Sequence, residues 1–443
     1  MRQPDIKPPA AAATRSHGWR DRLPPAFRYP AYRIYWGGML ASVIGFQVFQ
    51  FTQFLLIHHL TGSAIYLGFV GLATAVPSLF LTLFGGVVAD KIDKRRLLLL
   101  TQVTSAALMA LLAALTFTGL VAPWHVIAVA FMAGAVFAFD NPARQSLYPR
   151  LVDRAALTSA VAFQSVIWQS TRIAGPAVAG LIVANLGGTE ERGMAIAFMF
   201  ATIGFLVMGI VMARLVVPAP AETRARSSGI EDLKEGLRFI RGNTVVMFLI
   251  LMSFVNGLFG GAYITLMPAI ARDVLGVNAD LQGWLLSCSG IGALSVTLVL
   301  GTGGSLRWRA PLLIGGASAY GLLIAAFAIT AERIGSYSLA LGLLVAMGVA
   351  QAAYMIIIQT TLVTMVPDRL RGRVMGFFGI TYAMLPLSGL QAALIAEFVG
   401  VPTAVAIGGF VVTAFALGPA LLNSRIRELS LHVRQADAAS AAG

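Results

Sequence analysis

Arg172 stands near the middle of an apolar stretch running from about residue 157 to 186. A guanidinium at that depth costs on the order of 2.5–3.5 kcal/mol to place among lipid tails, and it lies too far from either end to reach water. It should therefore face a cavity and have a partner. Gln164 and Trp168 precede it at helical spacing, and residues four apart share a helix face. Such a stripe can bind an anionic or polar part of a guest molecule; the alternative is a structural arginine that caps carbonyls of a broken helix. Gln47, Gln50, Asn256, Gln351 and Tyr354 also fall mid-run. Each can line the same cavity, or hydrogen-bond a neighbouring helix instead. Phe46, Phe49, Phe131 and Phe137 would suit a large, partly apolar guest, or lipid.

Proton transfer needs a titratable group within the path. The apolar stretches offer Asp140 at the end of one and Glu397 at the end of another. Asp140 can pair with Arg144 one turn on, as a switch or as a static partner. His58 and His59 close the first stretch and belong to an interface with water. There is no phosphate-binding Gly-x-x-x-x-Gly-Lys-(Ser/Thr) loop, no Gly-x-Ser-x-Gly elbow and no metal-ligand spacing, so neither an enzyme nor a bound cofactor is expected. The lone Cys288 sits in an apolar run as a packing residue.

The elements that must position these groups follow from composition. Of 443 residues, 58% are hydrophobic and 12% charged, with mean hydropathy +0.80. A soluble domain carries about 25% charged residues, and lipid is the solvent that removes that need. Twelve apolar runs are long enough to cross a bilayer as helices: 34–60, 65–89, 97–119, 123–140, 157–186, 193–217, 243–270, 280–302, 310–331, 335–362, 373–398 and 402–423. The first is too long for a signal peptide, so the N-terminus is expected to be retained. With both ends inside, 28 of the 32 Lys and Arg fall on the inner side, all but Arg172, Arg192, Arg272 and Arg333. Net charge +13 thus reflects the positive-inside rule, and nucleic acid is not an expected partner.

The chain also repeats itself. A hydrophilic linker at 218–242, with Arg224, Arg226 and an amphipathic pattern from Ile230 to Ile240, separates six runs from six. Gly85-Gly86 before one basic cluster is echoed by Gly303-Gly304 before Arg307 and Arg309. Expected units are a tail at 1–33, a six-helix bundle at 34–217, the linker, a second bundle at 243–424 and a tail at 425–443. The fold class is an all-α membrane protein, with twelve transmembrane helices in two pseudo-symmetric six-helix bundles.

The loop after the second run, Gly85-Gly86-Val87-Val88-Ala89-Asp90-Lys91-Ile92-Asp93-Lys94-Arg95-Arg96, resembles the signature loop of the major facilitator superfamily, with Asp93 where many members carry glycine. That resemblance implies that Gly86, Asp90, Lys94, Arg95 and Arg96 gate the two halves, whereas the basic residues alone could merely obey the positive-inside rule. Phe27-Arg28-Tyr29-Pro30, Leu60-Thr61-Gly62-Ser63-Ala64, Asn141-Pro142-Ala143-Arg144-Gln145 and Val366-Pro367-Asp368-Arg369-Leu370-Arg371-Gly372-Arg373-Val374 are similar to the enterobactin-exporter and macrolide-efflux group, the transmembrane secretion effectors. Gly175-Pro176 with Gly180 resembles the antiporter motif of drug exporters, or is an ordinary proline kink. The likeness covers most of residues 27–420. It implies proton-coupled export of a small organic molecule (drug, siderophore or similar metabolite) by a monomer in a bacterial inner membrane, with Arg144, Gly175 and Pro176 among the gating residues. A lysophospholipid flippase or an uncoupled facilitator would share these features, and a non-transporting sensor would need longer tails.

Overall fold

The computed structural model describes residues 23–216, 229–301 and 309–422, and of these the backbone alone at 82–91, 229–233, 300–301, 309–312, 368, 382–383, 386, 420 and 422. Among the described residues there is no strand. Lipid leaves no water for an open backbone, so each crossing closes its own hydrogen bonds as a helix. In chain order these are α1 (Pro30–Thr61), α2 (Ala64–Lys91), α3 (Lys94–Phe117), α4 (Pro123–Leu147), α5 (Leu157–Asn185) and α6 (Glu190–Arg214). A shorter helix, α7 (Gly229–Gly242), lies where the linker's amphipathic pattern was expected. Then come α8 (Thr244–Val274), α9 (Ala279–Gly301), α10 (Arg309–Arg333) and α11 (Tyr337–Met365). The last crossings are α12 (Asp368–Ala383) with α13 (Leu385–Val399), and α14 (Val401–Leu422).

Among the described residues eleven helices are long and apolar enough to span a membrane, and α12 with α13 supplies a further, interrupted one. The sequence reading made that crossing one continuous helix. It is broken at Met384, because Pro386 sits in the first turn of α13 and has no N–H to continue the ladder. α8 is irregular as well, with π turns at Asn256–Gly260 and Ile270–Val274. Helix ends follow local chemistry. Gly62 closes α1 in the left-handed region at φ 60, its N–H donating to the His58 carbonyl. Asp93, the departure from the signature loop, caps α3 by accepting the Arg96 N–H at 3.1 Å.

α1 packs on α5 and α6, α2 on α4, and α3 on α4 and α6; likewise α9 packs on α11, and α10 on α11 and α14. Two seams join these groups, α5 against α9 and α2 against α13. In crossing order these are the fifth with the eighth and the second with the eleventh. Adding six to the first-half member of one pair and subtracting six from the second-half member gives the other, as two-fold pseudo-symmetry requires. The seams are close because they run on glycine: a Cβ at Gly180 would lie 2.4 Å from the Ala279 carbonyl, and one at Gly283 would lie 2.4 Å from that of Pro176.

Candidate functional site

At mid-depth a chain of hydrogen bonds runs from one bundle into the other. Arg172 on α5 donates through Nη2 to Gln351 Oε1 on α11 at 3.3 Å. Gln351 Nε2 donates to the Tyr320 hydroxyl on α10 at 3.1 Å. Tyr320 donates in turn to the Gly260 carbonyl at 2.8 Å. The last acceptor lies in the first π turn of α8, where the wider winding alters the carbonyl ladder. Asn256, in the same turn, is buried with its Oδ1 lacking a hydrogen-bond partner. Tyr354 lies beside Tyr320, the rings tilted at 43° with centres 5.8 Å apart.

Three mid-run residues read from the sequence thus converge: Arg172, Gln351 and Asn256, with Tyr354 alongside. Tyr320 was missed. An isolated tyrosine within the run 310–331 carries no periodic signal, and only the fold brings it to Gln351.

The stripe on α5 divides. Trp168 lines a cavity inside the first bundle with Ser42, Phe46, Phe49, Phe137, Asp140, Arg144 and Phe205, about 510 Å³ of empty space counting its open mouth. Phe46 and Phe137 stack there at 5.5 Å. Gln164 is buried deeper in the bundle, beside the Tyr35 hydroxyl. Gln47 and Gln50 are half-buried on α1. Gly175 is pressed so closely on Gln47 that a Cβ would come within 2.3 Å of the glutamine Cβ. Pro176 contributes its carbonyl to the seam, and the neighbouring Ile173 carbonyl accepts from Ser287 Oγ on α9 at 2.6 Å. Phe131 faces outward.

Asp140 forms the expected ion pair with Arg144, at 2.5 Å. It also accepts from Thr101 at 2.7 Å and from Gln102 at 2.6 Å, both on α3. Three donors from two helices thus converge on this buried carboxylate. Glu397 is exposed near the end of α13 and stands apart from that network.

Of the gating residues, Gly86 and Asp90 lie among those whose side chains are outside the described set, and Gly303, Gly304 and Arg307 lie outside the described residues. Lys94 is buried at the start of α3. Arg95 donates to the carbonyls of Met212 and Ala213 at the end of α6, where a helix terminus attracts a cation. Arg96 is exposed.

At the opposite end is a polar clasp that the sequence reading did not assemble. His58 Nε2 on α1 lies 3.0 Å from Asp273 on α8. Arg272 donates to Glu190 on α6 at 2.7 Å and lies 3.1 Å from His59 Nδ1. His59 Nε2 is 3.3 Å from Glu191. These six groups come from three helix ends and tie the two bundles together. His58 is buried while Asp273 is half-exposed.

Residues 23–440 match the family described as transmembrane secretion effector. A staphyloferrin A transporter of Staphylococcus aureus is 30% identical over 240 residues, which cover 54% of this chain and 58% of that protein. A multidrug efflux pump, Tap, of Mycolicibacterium fortuitum is 27% identical over 368 residues, 80% of this chain and 86% of the pump. Among solved structures, a bacterial homologue of the human lysosomal transporter Spinster, inward-facing and occupied, superposes with TM-score 0.66 at 13% identity, covering 92% of this chain and 97% of that one. A D-xylose–proton symporter gives 0.63 at 14% identity over 87% and 96%. These likenesses show the fold.

Proposed function

The chain belongs to the transmembrane secretion effector family, and on that premise we propose that it exports a small organic molecule across the bacterial inner membrane by alternating access, coupled to protons. The observation that carries the proposal is the polar chain Arg172–Gln351–Tyr320–Gly260. It crosses from bundle to bundle at the depth where a transporter holds its cargo.

The basic end, with Lys94, Arg95, Arg96 and Arg369, faces the cytoplasm under the positive-inside rule, and both tails lie there. The units are 34–217 and 243–424 joined by the linker. Seams at Gly180 and Gly283, and the clasp around Arg272, hold the outer end closed. Cargo therefore enters from the cytoplasm, meets Arg172 with Trp168, Gln47, Gln50, Asn256 and Tyr354 around it, and leaves once the clasp parts. On the cytoplasmic side Gly86, Asp90, Lys94, Arg95, Arg96 and Arg144 gate the reverse movement, with the α5 kink at Gly175 and Pro176 as the flexing point. Asp140 is the carboxylate we assign to proton coupling, because protonating it would release Arg144 and the two donors on α3.

Reconstitution into proteoliposomes with an imposed pH gradient tests this proposal. Movement of a dye or siderophore against the proton flux supports antiport. Movement that ignores the gradient points to a facilitator, and no movement in either direction sinks export.

A further inference from the structure

Arg172 is a guanidinium in mid-membrane whose partner is a neutral amide. The 3.3 Å bond to Gln351 is long for a charged donor, whose bonds to carboxylates run about 2.7–2.9 Å. Three other arginines meet carboxylates: Arg144 meets Asp140, Arg272 meets Glu190 and Arg369 meets Glu235. Gln351 is held in its pose by the far end of the chain. Tyr320 spends its hydroxyl proton on Gly260, so its oxygen accepts from Gln351 Nε2, and the amide oxygen is left turned to Arg172. The protein thus holds a neutral acceptor where an anion would bind better.

One turn away on the same face, about 6 Å along the axis, Trp168 opens on the cavity with Phe46, Phe49, Phe137 and Phe205.

We infer that the cargo is an amphipathic organic acid, whose carboxylate takes both arms of the Arg172 fork in place of Gln351 Oε1 and whose apolar or aromatic body lies against Trp168. This rests on the export proposal and narrows it to a substrate class. It also gives binding a consequence. Once Gln351 lets go of Arg172, the side-chain bond between the bundles at that depth is lost, and only the neighbouring bond from Ser287 to the Ile173 carbonyl still ties them there.

The test uses the full chain in nanodiscs with two probes of one ring system, carboxyfluorescein as the anion and a rhodamine ester as the cation, read by fluorescence polarisation. Wild-type protein should prefer the anion. Arg172→Gln should weaken anion binding roughly tenfold to a hundredfold, the worth of a charged hydrogen bond, and leave the cation unaffected. Arg172→Lys should recover part of the loss, since it keeps the charge without the fork. Gln351→Glu should lock a carboxylate onto Arg172 and exclude the anion. A wild-type preference for the cation, or Arg172→Gln protein of normal gel-filtration profile that binds the anion undiminished, overturns the inference. Uptake into everted vesicles separates the two levels. Uptake blind to charge removes the substrate class and leaves export standing. Anion binding without uptake removes export and leaves the ligand class.

Discussion

Replacing Arg272 by glutamine takes the centre out of the clasp at the His58 end. The guanidinium is 40% exposed and its partner Glu190 is 31% exposed, so solvent screens the pair. An exposed ion pair contributes about 0.2–1 kcal/mol. Here Arg272 also touches His59, which touches Glu190 and Glu191. A network of this size is worth on the order of 1–2 kcal/mol, which is about a 5- to 30-fold change in the ratio of open to closed outer gate. Spin labels at Ser63 and Glu332, in a background with Cys288 replaced by alanine, read the separation of the two bundles at that end by pulsed electron resonance. Arg272→Gln and Glu190→Gln should each raise the long-distance population. Because they remove the same contact, the double variant should open little more than either single one. A distance distribution that does not move, or two effects that add in full, would refute the clasp.

Three further outcomes follow from the packing. Gly180→Val puts a side chain where 2.4 Å separates a Cβ from the Ala279 carbonyl, so the outer seam cannot close; transport should fall at least tenfold while labels at Ser63 and Glu332 report the open gate. Asp140→Asn leaves the Arg144 charge buried without its carboxylate, which costs about 3–5 kcal/mol; the melting temperature in detergent should drop, and adding Arg144→Gln should restore part of it. Tyr320→Phe removes the donor to Gly260 and the acceptor for Gln351, worth roughly 1 kcal/mol each; transport should slow with expression unchanged.

Much of the architecture was legible because lipid makes strong demands on composition. A run that crosses must be apolar, so eleven long spans among the described residues lie close to where hydropathy places them. Arg172 was legible for the same reason, since a charge among lipid-length apolar residues stands out. Contacts that depend on distant partners were not. Tyr320 gains its role from Gln351, 31 residues on, and Arg272 from His59, 213 residues back. The charged residues of the clasp looked like ordinary helix ends until α1, α6 and α8 met. The break at Met384 was hidden because proline is common in transmembrane helices and often only kinks them. Asp93 was read as a mismatch to the signature loop, whereas it supplies the N-cap of α3.

The most direct measurement of the central claim is uptake into everted inner-membrane vesicles, with and without a proton uncoupler, for this protein and for its Arg172→Ala variant at equal membrane abundance. Uptake that collapses with the uncoupler and is lost in the variant is the predicted result. Uptake by the variant equal to that of the unaltered protein would contradict the assignment of the cargo site to the mid-membrane chain from Arg172 to Gly260.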